Sequence, residues 1–341
     1  MERYSRQILL PQIGPEGQAR LRGARVLLVG VGALGSAIAE LMTRAGIGFL
    51  RIADRDIVER SNLQRQMLFD ESDARDGVPK AVAAARRLAA INSDVRIDPQ
   101  PVDVATDNIV SVAEDVDLIL DGTDNAATRY LVNDAAVKLG KPWVYGACVG
   151  VEGRMMALTA AQGPCLRCVF PDPPAPGELP TCDTVGVLGP VAAIVGACQA
   201  IAALRLIASG AEAAGRLLVI DGWNFSVRTV DLSSARDPQC PCCGLMRFEF
   251  LDAPTQTGAV LCGRQAVQIR PARAVRLDLD RLSRRMQQAG VEHRGTTVFA
   301  RIQVPGETGL SLTAFADGRA IVQGTSDLTR ARSLYDRFIG G

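Results

Sequence analysis

Histidine is almost missing from this chain: 341 residues contain one, His293, in the polar C-terminal stretch EHRGTT. Mechanisms that pair an imidazole with a serine or cysteine nucleophile are close to excluded unless that residue reaches the site. An excess of either charge is missing too. Lys and Arg number 38 against 37 Asp and Glu, and no long block of like charge occurs, so nucleic acid is not a favoured partner. The opening residues, MERYSRQILLPQIG, are charged and lack the apolar run of a secretory leader, which makes a cytoplasmic location the expectation. One run of 21 uncharged residues lies between Asp183 and Arg205, TVGVLGPVAAIVGACQAIAAL. Pro190, Gln199 and three glycines make it a poor membrane span, and a helix buried in a large core is expected.

What is present begins with a βαβ pattern. ARVLLVG (Ala24 to Gly30) is short and rich in Val and Leu, as a strand buried on both faces is. GVGALG follows, then SAIAELMTRAG with apolar residues at helical spacing, then FLRIAD as a second strand. PKAVAAARRLAAIN opens with a helix-starting proline, DVRIDPQPV is extended, and VDLILDGTDN is a third buried strand ending in acids. A helix ending at Gly140 and the strand KPWVYGACVG come next, and RMMALTA and RLLVIDGW continue the alternation. The expected fold is α/β, a Rossmann-like, doubly wound, mostly parallel sheet over residues 1–250. A linker at 251–260 and a small α+β domain at 261–341 follow. PDPPAPGELP (Pro171 to Pro180) is too proline-rich for helix or strand.

Gly30, Gly32 and Gly35 form G-x-G-x-x-G between strand and helix, and Asp54 lies nineteen residues past the last of them. Glycines let phosphate approach a helix N-terminus, and the acid suits a ribose hydroxyl. NAD and ATP both fit that much. Beyond Asp54 the sequence runs on to Asn62, Arg65 and Gln66, and Lys80 opens the next helix. A redox site has no use for these amide and cationic donors, whereas a site handling a triphosphate must neutralise several charges; the plain alternative is a solvated loop. DGTDNAATR (Asp121 to Arg129) sits at a strand end, where open α/β sheets keep their ligands. Asp124 is suited to magnesium, and the Asp124-Asn125 pair is suited to capping the helix that begins at Ala126.

Nine cysteines without a leader point to metal or thiol chemistry rather than disulfides. Cys165-x-x-Cys168 and Cys240-x-x-Cys243 match a closed, structural zinc site of four thiolates. Cys242 lies inside the second pair and leaves the choice of ligand open, and a redox CxxC is the alternative. Cys182, on a loop before the apolar run, is a candidate nucleophile or thioester-forming residue. Cys148, Cys198 and Cys262 have apolar neighbours and read as packing residues.

Taken together, RYSRQ, GVGALGS, DRDIVERSNLQRQ, DGTDNAATR, the two cysteine pairs and TCDTVGVLGP resemble the ubiquitin-activating-enzyme-like family of ThiF, MoeB and HesA adenylyltransferases. The resemblance spans RYSRQ to CPCCG in order, and the C-terminal part looks like an extension carried by some members. It implies adenylation by ATP of the C-terminal glycine carboxylate of a ubiquitin-like sulfur carrier, with release of pyrophosphate, in thiamine or molybdenum-cofactor biosynthesis. It implies a nucleotide set of Gly30, Gly32, Gly35, Asp54, Asp56, Asn62, Arg65, Gln66, Lys80, Asp124 and Asn125, with magnesium at Asp124 and zinc on Cys165, Cys168, Cys240 and Cys243. Arg6 matches the family arginine that reaches the partner subunit's ATP site, which implies a homodimer, and Cys182 matches the family's loop cysteine. A cysteine desulfurase or rhodanese would be the sulfur donor. The competing readings are a tRNA threonylcarbamoyladenosine dehydratase, an NAD-dependent oxidoreductase and a carrier-binding adaptor. The terminal Gly340-Gly341 mimics a carrier end, although a helix stopped by glycine is the plainer reading.

Overall fold

The segment RVLLV forms strand β1 (Arg25–Val29), and its side chains alternate between two cores. Val26 and Leu28 belong to one, Leu27 and Val29 to the other, and all four are buried. Such a strand needs helices on both faces of its sheet. The computed structural model describes residues 2–340 except 160–162, 175–181, 211–214, 255–257, 261–264 and 272–274; of residues 182, 183, 259 and 260 only the backbone is described. The chain divides into two units, Met1–Ala253 and Pro254–Gly341.

In the first unit, helices α1 (Ser5–Ile8) and α2 (Gly14–Gly23) precede β1, and α3 (Ala33–Ala45) leads to β2 (Phe49–Ala53). Helices α4 (Glu71–Asp76) and α5 (Lys80–Ile91) lead to β3 (Arg96–Gln100), α6 (Ile109–Ala113) to β4 (Leu118–Asp121), and α7 (Ala126–Leu139) to β5 (Trp143–Val149). These five strands are parallel in the order β3-β2-β1-β4-β5. The order reverses beside β1, so a crevice opens past the ends of β1 and β4.

The alternation expected past residue 150 is only partly realised. β6 (Glu152–Leu158), β7 (Arg216–Asp221) and β8 (Ser226–Asp231) are strands, but each pairs antiparallel with its predecessor. Two residues, Gly150 and Val151, join β5 to β6, and a parallel crossover needs a dozen or more. Short helices α8 (Leu166–Val169) and α9 (Cys182–Val185) precede the long α10 (Gly189–Ser209).

By length and composition alone α10 could cross a membrane. It packs against α3 instead, where a Cβ on Gly196 would lie 2.9 Å from that of Ala37. Val191, Val195, Gln199 and Ala203 are buried, while Ile194 and Ile201 are exposed. The helix is therefore half-covered rather than sunk in the core as expected.

The second unit is an antiparallel sheet in the order β11-β12-β13-β14-β10-β9, with β9 (Gly258–Val260), β10 (Ala266–Ile269), β11 (His293–Gly295), β12 (Phe299–Gln303), β13 (Ser311–Phe315) and β14 (Ala320–Gln323). Helices α11 (Leu279–Gln288) and α12 (Leu328–Phe338) cover one face through Leu282, Met286, Ala331 and Leu334. β9 falls inside the stretch expected as a linker and pairs with β10.

Candidate functional site

Three glycines close the crevice floor. A Cβ on Gly35 would sit 2.1 Å from the Gly30 carbonyl oxygen, and one on Gly122 would sit 2.2 Å from the same atom. The turn after β1, the first turn of α3 and the turn after β4 thus touch backbone to backbone. Gly30 is left-handed at φ 84°, and its N–H donates to the Ala53 carbonyl at 2.8 Å. Gly32 caps α3, whose first amides face the crevice as an anion site. Gly122 belonged to a quoted motif but was given no role.

Asp54 is almost wholly buried. One carboxylate oxygen accepts the Val31 N–H and the other the Asp56 N–H, both at 2.7 Å. Burial pushes its pKa up, against the pull of Lys80. Asp54 therefore braces the glycine loop, and each oxygen keeps a lone pair for a hydroxyl.

Lys80 is 3% exposed, and its Nζ donates to Asp56 Oδ2 at 3.0 Å. Sequence reading treated Lys80 and Asp56 separately; they form one ion pair, buried on the Lys80 side. Asn62 and Gln66, between Asp56 and Lys80 in sequence, are buried, and the Gln66 amide nitrogen lies 3.7 Å from where a Gly32 Cβ would be. Asn62 Oδ1 accepts the Glu59 N–H, but Asn62 Nδ2 and Gln66 Oε1 have no partner. A buried amide group left unmatched costs on the order of 1–3 kcal/mol, so both atoms are open to a polar partner. Arg65 is half-buried and donates to the Ser61 carbonyl at 2.7 Å. Arg55, which sequence reading missed, pairs with Asp103 at 3.5 Å. Burial works against its charge, yet Asp56, Asp103, Asp124 and Asp54 hold its pKa above the ordinary value.

At the end of β4, Asn125 supplies the helix cap: its Oδ1 accepts the Ala127 N–H at 2.9 Å. Asp124 is exposed, and no hydrogen bond or ion pair holds its carboxylate among the described residues. The two roles expected of the pair are thus divided between its members. Beneath them Asp121 is buried and bound to Arg129 at 3.1 Å.

The sulfurs of Cys165, Cys168, Cys240 and Cys243 all lie within 4.8 Å of one another. The separations Cys165–Cys168, Cys165–Cys240 and Cys168–Cys243 are 4.0, 3.6 and 3.4 Å. A tetrahedral zinc with Zn–S bonds of about 2.3 Å spaces its sulfurs about 3.8 Å apart, so the donor set fits that ion. Cys242 is excluded from the four; its sulfur accepts from Asn133 Nδ2 at 3.3 Å. The other end of that amide accepts the Leu166 N–H at 2.8 Å, so Asn133 joins the two halves of the cluster.

Arg6 lies exposed on α1. Cys182 begins α9, and its side chain lies outside the described residues, as does all of Cys262. Cys148 is buried and Cys198 half-buried. The β7–β8 hairpin exposes Trp223, Phe225 and Val227. Its tip follows Asp221, which pairs with Glu152 at the start of β6, so it lies at the same end of the sheet as the glycine crossing.

A family model described as ThiF family matches residues 4–242. The chain is 43% identical over 339 residues to the "sulfur carrier protein ThiS adenylyltransferase" of Bacillus subtilis, covering 99% of each. It is 44% identical to the "sulfur carrier protein adenylyltransferase" of Thermus thermophilus, covering 75% of this chain and 93% of that one. Among solved structures, E. coli MccB with ATP superposes with a TM-score of 0.61 at 21% identity, over 71% of this chain and 74% of that one. At that identity the likeness concerns the fold.

Proposed function

The chain belongs to the ThiF family, and on that premise we propose that it is an ATP-dependent adenylyltransferase of a ubiquitin-like sulfur carrier protein. The observation that carries this reading is the phosphate end of the crevice. Helix α3 begins at the glycine crossing, the Gln66 amide lies beside Gly32, Lys80 acts on the Asp54 that braces the loop, and unheld Asp124 follows Gly122 by two residues. An NAD-dependent oxidoreductase would use the glycines and Asp54 and leave the rest idle.

The carrier's C-terminal carboxylate is ionised at neutral pH and attacks the α-phosphorus of ATP. A carboxyl oxygen–phosphorus bond forms, the bond to the β-phosphoryl oxygen breaks, and pyrophosphate departs with the electron pair. No proton needs to be removed, which accords with a chain holding one histidine. The protein's work is alignment and charge neutralisation. Asp54 would take the ribose; Asn62, Arg65, Gln66 and Lys80 would face the phosphates. Asp124 would hold magnesium, which neutralises phosphate charge when bound. Cys165, Cys168, Cys240 and Cys243 would hold structural zinc.

The hairpin tip with Trp223 and Phe225 supports a macromolecular acceptor, since exposed aromatics beside a site mark a protein-docking surface. Leu9, Leu10, Leu41, Ile194 and Ile201 are exposed on α10 and neighbouring elements, and they support a homodimer in which Arg6 serves the partner's site. The full-length relative named for ThiS favours the thiamine pathway over the molybdenum-cofactor pathway, with a persulfide-bearing desulfurase or rhodanese as sulfur donor. A tRNA-linked carboxylate is the second reading.

ATP–pyrophosphate exchange tests this. Exchange is expected only with magnesium and a carrier that keeps its last glycine, and Asp124→Ala is expected to reduce it at least about a hundredfold. Exchange that appears with threonylcarbamoylated tRNA and not with either carrier would transfer the assignment to the dehydratase.

A further inference from the structure

Asp124 presents an unheld carboxylate, so its position depends on the backbone either side of it. On one side Asn125 is fixed as the cap of α7. On the other, Thr123 is held at its N–H, its hydroxyl and its carbonyl. Asp121 Oδ1 accepts the Thr123 N–H at 2.9 Å and its hydroxyl at 2.7 Å. Arg129 Nη2 donates to the Thr123 carbonyl at 2.6 Å. Asp121 Oδ2 then takes Arg129 Nε at 3.1 Å and the Gly146 N–H at 3.3 Å. The guanidinium also lies 5.4 Å from the centroid of the Tyr145 ring. Behind the pair, Gln199 of α10 donates to the Asp121 carbonyl at 2.7 Å.

We propose that Arg129 is a positioning residue: clamped to Asp121, it fixes the Thr123 peptide and thereby sets where the Asp124 carboxylate meets ATP-bound magnesium. The inference rests on the adenylyltransferase reading, in which Asp124 holds that ion. A fork of planar donors is needed, because one group must serve Asp121 and the Thr123 carbonyl at once. An ammonium, though it has three donors, lacks the planar fork that holds both acceptors here.

The test is ATP binding by titration calorimetry with the full chain, with and without magnesium, for Arg129→Lys, Arg129→Gln, Asp124→Ala and the pairs. Magnesium-free ATP affinity is expected to stay within about twofold of wild type in Arg129→Lys, while the gain in affinity on adding magnesium falls about tenfold. In the Asp124→Ala background the Lys substitution is expected to change nothing further. Equal losses with and without magnesium, or losses that add fully to those of Asp124→Ala, would mean that Arg129 only stabilises the fold. If Arg129→Gln does not fold, Arg129→Lys decides. Should Asp124→Ala keep the wild-type magnesium gain, the magnesium role of Asp124 itself fails, and Arg129 has nothing there to position.

Discussion

Gly122 is the residue whose substitution the site tolerates least. A methyl group there would stand 2.2 Å from the Gly30 carbonyl and 2.9 Å from the Gly35 Cα, all backbone atoms that cannot swing aside. Gly122→Ala is expected to destabilise the protein by about 1–3 kcal/mol and to abolish measurable ATP binding in calorimetry. Gly140→Ala is the control: its φ is 64° and nothing lies within 4 Å of the new Cβ, so stability falls by about 1 kcal/mol and ATP still binds. ATP binding at wild-type strength in Gly122→Ala would contradict a shared backbone floor. Gly30, Gly32 and Gly35 were legible because their spacing records a local turn. Gly122 was not, because its reason is a contact with a residue 92 positions earlier. The Lys80–Asp56 pair escaped notice for the same cause: each residue reads as a free charge until the fold joins them.

Among elements, α7 does the most varied service. Its cap follows Asp124, its first turns carry Arg129, and further on Asn133 bridges the cysteine knuckles while Asp134 accepts the Phe250 N–H at 2.9 Å. One rigid helix thus ties the crevice to the proposed metal centre. Cys240→Ser and Cys243→Ser are expected to purify without stoichiometric zinc by elemental analysis and to unfold roughly 10 °C lower, several kcal/mol being lost with the ion. Cys242→Ser should keep its zinc, and zinc loss there would exchange the roles of the adjacent thiols. The strands themselves were readable from apolar runs, but their direction was not. RMMALTA says strand either way, and only the two-residue connection Gly150-Val151 makes β6 antiparallel. Likewise α10 is apolar on every side apart from Gln199, Arg205 and its ends, so composition gave no hint that Ile194 and Ile201 would face outward while Val191 and Val195 face inward.

For the whole molecule, the exposed aliphatic residues on α10 and its neighbours predict a self-association surface. Light scattering should find wild type dimeric, and Ile201→Asp combined with Ile194→Asp should yield a folded monomer with pyrophosphate exchange reduced at least about tenfold, because Arg6 no longer has a partner site. A wild-type monomer with full exchange activity would refute the trans role of Arg6. At this scale the sequence was informative through order: the motifs lie along the chain in the sequence in which the β1 and β4 ends use them.

The measurement that tests the account most directly is mass spectrometry of a ThiS-type carrier after incubation with this protein, ATP and magnesium. The account predicts a carrier heavier by one AMP, the adduct mapping to its terminal glycine, with pyrophosphate released in equal amount and none formed when that glycine is removed. An unmodified ThiS-type and MoaD-type carrier, with ATP demonstrably bound to the protein, would contradict it.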